Sequence, residues 1–116
     1  MQIQVRTDNH IQGSEALTRH VETEVTQSLH RFGRQITRVE VHLTDTNSHK
    51  SGDADKRCVV EARLAGLQPI AVNDNAPTVH QAVSGAIGKI ERLLDHTLGR
   101  LAHPKGRAPT NGTLAI

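Results

Sequence analysis

Hydrophobic and polar residues alternate with two different periods in the first half of the chain. Residues 2–7 alternate with a period of two, which predicts a half-buried strand. From Ser14, a favourable N-cap, to Gly33 the apolar residues recur at helical spacing, and residues 36–44 return to a period of two. The pattern predicts a strand, a helix and a second strand, followed by a polar turn or mobile loop over residues 45–55.

The second half of the chain continues with two strands and a long helix. Residues 56–65 alternate again, and residues 70–73 form a short strand after Pro69, which is typical of an edge strand or of a strand that starts after a break. The segment 73–77 (NDNAP) consists of turn-forming residues and predicts a turn. Over residues 79–101 the apolar positions recur at helical spacing, which is the strongest periodic signal in the chain.

These elements predict an α+β fold with the order β-α-β-β-β-α. Each strand has one apolar face and each helix one apolar stripe, so the simplest packing places both helices on one face of a four-stranded, mostly antiparallel sheet. The opposite face would meet solvent or a partner. We predict one domain over residues 1–101 and a disordered tail over residues 102–116, where Pro, Gly and small polar residues dominate.

Composition narrows the possible classes of function. Phe32 is the only aromatic residue among the 116, so stacking of bases on exposed aromatic rings is excluded as a main mechanism. Cys58 is the only cysteine, which excludes an internal disulfide and a multi-cysteine metal site and suits a reducing cytosol. No apolar run reaches the length of a membrane span. We therefore expect a cytoplasmic protein with no membrane partner.

The net charge of +2 is distributed unevenly along the chain. Residues 1–55 carry 6 Lys and Arg against 8 Asp and Glu, whereas residues 56–116 carry 8 against 4. On the second predicted helix the cations recur at spacings of three and four: Lys89, Arg92, His96 and Arg100. Glu91 and Asp95 fall on the other side of the helical wheel. A solvated helix face and an anion-binding row both account for this pattern, and both interpretations remain open at this point.

Two other interpretations concern an enzyme and a protein-interaction module. Eight histidines invite a metal site, but no HxxxH or HExxH pair lies on a helix, so surface or capping histidines are favoured. We expect no catalytic residue, metal, cofactor or small-molecule substrate, and Cys58 is interpreted as a small core residue. Arginines at positions 6, 38, 57 and 63 lie on the predicted open sheet face beside Glu40 and Glu61. Cross-strand ion pairs are favoured there over a dedicated site for a partner or self-association.

Three segments carry a resemblance to a known family. The stretch VRTDNHIQGSEALTRHVE resembles the N-terminus of the ribosome hibernation-promoting factor family, also called ribosome-associated inhibitor or sigma-54 modulation proteins. AVSGAIGKIERLL is similar to the second helix of that family, and HKSGDADKRCVVEARLAGLQPIAV resembles a sub-branch with a longer charged loop. The resemblance covers residues 1–101.

The resemblance implies a domain similar to a double-stranded RNA-binding fold and a function without catalysis. Such a protein would sit in the small ribosomal subunit, contact 16S rRNA through basic helix residues, and block the path of mRNA and tRNA under stress or in stationary phase. By position, the resemblance assigns rRNA contacts to Lys89 and Arg92, and to Arg19 on the first helix. His96 and Arg100 continue the row and complete the candidate RNA-binding set.

The sequence also departs from the pattern of the family it resembles. The family usually carries lysines where this chain has Glu24 and Gln27, and an acidic residue and a tyrosine where it has Thr78 and His80. A Lys-rich run is replaced by DHTLGR. These departures predict ribosome contacts that are weaker or differently placed. We expect the short type of the family, without the further domain with which long members pair ribosomes.

Overall fold

In the computed structural model of this protein, residues 1–8, 11, 13–46 and 55–102 are described, and residues 100–102 by their backbone alone. The elements follow the predicted order β-α-β-β-β-α, with one 3₁₀ turn after the first helix. Their bounds are β1 Gln2–Thr7, α1 Glu15–Leu29, the 3₁₀ turn His30–Phe32, β2 Ile36–Asp45, β3 Lys56–Leu64, β4 Ile70–Ala76 and α2 Val79–Ala102. The tail was predicted over residues 102–116; Ala102 is instead the last residue of α2, and the rest of the predicted tail lies outside the described residues. Most of the predicted loop, residues 47–54, also lies outside them.

The four strands form one mixed sheet in the order β1-β2-β3-β4. β1 pairs with β2 in parallel, from Gln2 opposite Arg38 to Thr7 opposite Leu43, because α1 carries the chain back across the sheet between them. The pairings of β2 with β3 and of β3 with β4 are antiparallel. The prediction of a mostly antiparallel sheet is thus confirmed, while the proposed similarity to a double-stranded RNA-binding fold stays a prediction.

The core lies between one face of the sheet and both helices, as predicted. Period-two positions of the strands meet the helical stripes there, and nearly all of the side chains concerned are aliphatic. The largest fully buried residues are Leu29, Ile36, Leu43, Ile90, Leu94, Val21, Val25, Val39, Val41, Val60, Val83 and Cys58. Burial, together with nearby carboxylates, raises the pKa of the Cys58 thiol to about 12, so this cysteine is the inert core residue that the sequence predicted.

α1 begins at the predicted cap and ends in a tighter turn than predicted. The Ser14 hydroxyl accepts a hydrogen bond from the Leu17 N–H at 3.0 Å. After Leu29 the last turn narrows to 3₁₀ geometry, with the Gly33 N–H donating to the carbonyl of His30 at 2.9 Å. This turn buries Phe32 and leaves Arg31 on the surface beside α2.

The predicted turn over residues 73–77 is wrong, because β4 continues to Ala76. Asn73 pairs with Val59, and Asn75 pairs with Arg57. β4 is an edge strand, as predicted, so its backbone gains hydrogen bonds to β3 while its polar side chains stay in reach of solvent. Turn-forming residue types therefore do not end the strand here.

Two glycines have clear conformational or packing reasons. Gly66 has φ of 74°, a left-handed conformation that glycine adopts without steric cost, in the connection between β3 and β4. Gly85 lies on α2 where the helix meets β4. A Cβ added there would overlap the Asp74 carboxylate, so Gly85 lets α2 approach β4 closely.

Candidate nucleic-acid interface

α2 carries an acidic flank, formed by Glu91 and Asp95, which faces the 3₁₀ turn after α1. Arg31 of that turn donates to Asp95 through both of its terminal nitrogens, at 2.8 and 2.9 Å, and to Glu91 at 3.3 Å. Its guanidinium also lies over the Phe32 ring, 4.2 Å from the ring centre. The Arg31 hydrogen bonds lower the pKa of Asp95, and hydrogen bonds to Asp95 and Glu91 raise that of Arg31. The acidic flank is therefore bound within the protein.

The cationic flank of α2 consists of Lys89, Arg92 and His96 on the other side of the helix. Lys89 is partly neutralised, because its Nζ lies 2.9 Å from the Asp74 carboxylate. The same ammonium donates to the backbone carbonyl of Asn73 at 3.0 Å. The Lys89 side chain remains 46% exposed, so it lies at the surface but is held against the edge strand.

Arg92, unlike Lys89, is not held by a polar contact with another described residue. It is exposed, and within the described parts of the chain it has neither an ion pair nor a hydrogen bond. Its guanidinium lies along the helix near Gly88, where an added Cβ would be 3.5 Å from Nη1. His96 is also exposed, whereas the side chain of Arg100 lies outside the described residues. Arg92 thus has a charge available for an external anion.

Arg19 does not join this flank. Its side chain is 70% exposed and lies 3.4 Å from Glu15, four residues earlier on α1. Ser84 of α2 donates to Glu24 of α1 at 3.2 Å, and Arg31 meets α2 further along, so the two helices run in the same direction. At about 1.5 Å per residue, Arg19 and Arg92 are then about 20 Å apart along the helix axes. The predicted RNA-binding residues therefore lie on two separate parts of the surface, with Arg19 on α1 and the cationic flank on α2.

The open face of the sheet divides into two halves. The paired half contains residues with partners: Gln4, Arg38, Glu40, Glu61 and Arg63. Arg38 lies 3.1 Å from Glu40 and hydrogen-bonds Gln4, and Arg63 lies 3.8 Å from Glu40 and 3.6 Å from Glu61. The predicted cross-strand ion pair is found between Arg63 of β3 and Glu40 of β2, whereas the Arg38–Glu40 and Arg63–Glu61 pairs each lie within one strand.

The unpaired half lies at the other end of the same face. It comprises Arg6, His42, Thr44, Arg57, Asn73 and Asn75, which occupy adjacent positions across the four strands. Arg6 and Arg57 are exposed and have no ion pair with any described residue. The expectation of ion pairs is wrong for these two, because Glu40 and Glu61 pair with Arg38 and Arg63 instead.

The histidines and acidic residues show no metal centre in the described part of the chain, where no group of three or more candidate ligands is suitably placed. His20 lies 2.9 Å from Glu24, and its ring meets His80 edge-on at 4.3 Å between the two helices. None of the helices within the described ranges is long and apolar enough to cross a membrane.

Sequence reasoning missed Arg31 and Asp74. Arg31 binds carboxylates 60 and 64 residues further along the chain, and Asp74 was placed in a turn. No local pattern marks either contact, since both depend on how α2 packs. The sequence signal that did exist was the separation of acidic and basic residues around α2.

Comparison with known proteins identifies the family. The family described as "Sigma 54 modulation protein / S30EA ribosomal protein" matches residues 3–102. The chain belongs to this family of ribosome-associated proteins, which are generally not enzymes. The resemblance inferred from the three sequence segments is confirmed.

Solved structures support the fold. The chain is similar to the N-terminal domain of Protein Y from Thermus thermophilus, with a TM-score of 0.68, 16% identity, and coverage of 84% of this chain and 99% of that chain. It is also similar to a ribosomal subunit interface protein from Coxiella burnetii, with a TM-score of 0.66, 19% identity, and coverage of 85% and 99%. At these identities the likeness shows the fold alone. No curated protein matches the chain significantly.

Proposed function

We propose that this protein binds the small ribosomal subunit through 16S rRNA in the cytoplasm, and that it inhibits translation under stress by occupying the path of mRNA and tRNA. The observation that carries this proposal is the charge of Arg92, which has no partner among the described residues and lies beside Lys89 on the cationic flank of α2. Membership of a ribosome-associated family supplies the partner class.

The proposed mechanism is occupancy and not chemistry. Each Arg or Lys that neutralises a phosphate releases condensed counterions, which makes the affinity dependent on salt. With one aromatic residue in the chain, and that one buried, the protein would recognise the shape and backbone of folded rRNA more than its base edges. Because Lys89 shares its charge with Asp74, we expect fewer phosphate contacts than the row of cations in the sequence indicates.

Self-association through the open sheet face is the alternative function, and the surface composition does not favour it. The only exposed large hydrophobic residues within the described ranges are Met1 and Leu67, and neither lies on that face. A protein interface usually needs an apolar centre. Salt distinguishes the two functions, since rRNA binding weakens steeply as salt increases and apolar association does not.

The experiment is co-sedimentation of the full chain with purified small ribosomal subunits. The double variant Lys89→Glu/Arg92→Glu should no longer co-sediment while keeping its far-UV circular dichroism spectrum. Arg34→Glu is the matched control for a single Arg92→Glu variant, since Arg34 is also exposed and has no ion pair with a described residue. Unchanged sedimentation of the double variant would remove the cationic flank from the interface, and failure of the wild-type protein to sediment would remove the ribosome.

A further inference from the structure

The unpaired half of the open sheet face carries donor side chains in two neighbouring rows, with Val59 as the one apolar position among them. Across the strands, Arg6 lies beside His42, which is followed by Val59 and then Asn73. In the next row, Thr44 lies beside Arg57, and Arg57 beside Asn75. Two guanidiniums and two amides therefore project from one side of the sheet, with a hydroxyl and an imidazole between them.

Among the described residues, the carboxylates near this end of the sheet bind other groups and form no ion pair with Arg6 or Arg57. Asp8 accepts hydrogen bonds from the backbone N–H groups of Ile11, at 3.0 Å, and Asp45, at 3.2 Å. Asp45 and Asp55 both pair with Lys56, at 3.4 and 3.0 Å, and the side chain of Asp55 is 3% exposed. The arginines of the paired half, in contrast, share two glutamates. The same sheet face thus carries one half whose arginines have carboxylate partners and one half whose arginines have none among the described residues.

The unpaired half is also continuous with the cationic flank of α2. β4 is an edge strand, and its residue Asn73 connects the two sides of the sheet. The Asn73 side chain is exposed on the open face, while its backbone carbonyl accepts a hydrogen bond from Lys89 on the helix side. A path therefore leads from Arg57 over Asn73 to Lys89 and on to Arg92, around one edge of the sheet.

We propose that the unpaired half is a second phosphate-binding surface, which holds a single-stranded RNA segment that continues around the β4 edge onto the cationic flank. This inference rests on the proposed function in taking RNA as the ligand. A flexible single strand can follow two faces that meet at an edge, whereas a stiff duplex cannot bend over such a short distance. Arg6 and Arg57 would contact phosphates, and the amides of Asn73 and Asn75 would donate to phosphate or sugar oxygens.

RNA fits this surface better than an acidic protein segment does. The half has no large exposed apolar residue around which a protein interface could be built. It has no aromatic ring for stacking other than the His42 imidazole, so its contacts would be with the backbone of the RNA. Binding would therefore show little sequence preference.

The test is a titration of the full chain with a labelled oligouridylate of about twelve nucleotides, followed by fluorescence anisotropy over a series of salt concentrations. The logarithm of the affinity should fall linearly with the logarithm of the salt concentration. Arg57→Gln should make this slope shallower by about 0.7, and Arg6→Gln/Arg57→Gln by about 1.4. Arg63→Gln is the matched control, because it removes the same charge from the same face but from the paired half. Its slope should equal that of the wild type.

Equal slopes for Arg57→Gln and Arg63→Gln would overturn the proposal, as would the absence of salt-dependent binding by the wild type. Competition by an oligoglutamate peptide of equal charge, as strong as that by unlabelled RNA, would assign the surface to an acidic protein and also overturn it. The result is separable from the ribosome assay. If the wild type binds the oligonucleotide through Arg57 but does not sediment with small subunits, the surface stands and the proposed ribosomal function fails.

Discussion

On the acidic flank of α2 both carboxylates are bound by Arg31 of the 3₁₀ turn, whereas on the cationic flank only Lys89 has a partner among the described residues. The acidic flank connects α2 to the end of α1. The cationic flank touches the rest of the fold at one place, the edge strand β4, and then turns Arg92 and His96 outward.

The difference shows that charge separation on one helix can have two independent causes. Glu91 and Asp95 lie on their side because Arg31 lies opposite them, and this requires no ligand. No described residue plays the corresponding role for Arg92. A row of like charges therefore indicates a binding site only where those charges have no partners within the protein. On α2, Arg92 and His96 meet this condition among the described residues.

Reversing the acidic flank should have the largest effect on the fold. Glu91→Lys/Asp95→Lys places two cations beside the Arg31 guanidinium, so thermal unfolding followed by circular dichroism should show a clear decrease in Tm. The opposite reversal, Arg92→Glu/His96→Glu, should change the free energy of unfolding by less than about 0.5 kcal/mol, because both residues are exposed and lack partners in the described structure. Equal losses in the two double variants would contradict the division into a structural and a free flank.

Among single substitutions that neutralise a charge on α2, the removal of Arg92 should have the largest effect on binding. Arg92→Gln deletes one phosphate contact, and at 0.1 M salt this should weaken binding to small ribosomal subunits by roughly tenfold. The control is Lys89→Gln/Asp74→Asn, which removes a pair that is already neutral. If Lys89→Gln/Asp74→Asn weakens binding as much as Arg92→Gln does, the ion pair with Asp74 does not limit the contact of Lys89 with RNA.

Freeing Lys89 should strengthen binding by a smaller factor. In Asp74→Asn the Lys89 ammonium keeps its hydrogen bond to the Asn73 carbonyl but loses its counter-charge. We expect affinity for small subunits to increase several-fold, up to roughly the tenfold limit for one additional phosphate. The increase should disappear when Lys89→Gln is added to Asp74→Asn. An unchanged affinity for the single variant would show that Asp74 does not restrain Lys89.

Acid should weaken the acidic flank slightly and selectively. The pKa of Asp95 is lowered by its hydrogen bonds to Arg31 from an ordinary value of 3.8, so the contact stabilises the fold above that pH. The contribution is lost as the pH falls through the lowered pKa of the folded state. The difference in Tm between wild type and Asp95→Asn should therefore be present near neutral pH and shrink below about pH 4. A difference that stays constant in acid would assign it to something other than this ion pair.

Much of the fold could be predicted because its signals are local. The helical spacing of α2 placed Glu91 and Asp95 on one side and Arg92 on the other, and the structure confirms this arrangement. The period of two predicted β2 and β3 to within a residue at each end. Residues 73–76 were missed, because residue types that favour turns are also tolerated in an edge strand whose partner is far away in sequence.

The site was less predictable because its charges depend on tertiary contacts. Whether Lys89 is free depends on Asp74, and that contact requires the register of β4 and the close approach of α2 at Gly85. Whether Glu91 and Asp95 counteract the cations depends on Arg31, which the 3₁₀ turn after α1 places beside them. Neither contact has a counterpart in the spacing of residues along the chain.

The parallel pairing of β1 with β2 has a consequence for how the protein is made. A parallel neighbour can be reached only through a crossover, so β1 cannot form a hairpin and must wait until α1 and β2 exist. β3 and β4 close through the short connection at Gly66 at little entropic cost. β1, which leaves the exit tunnel before α1 and β2, is therefore expected to dock late, and a nascent chain that stalls before Arg38 has no strand with which β1 can pair.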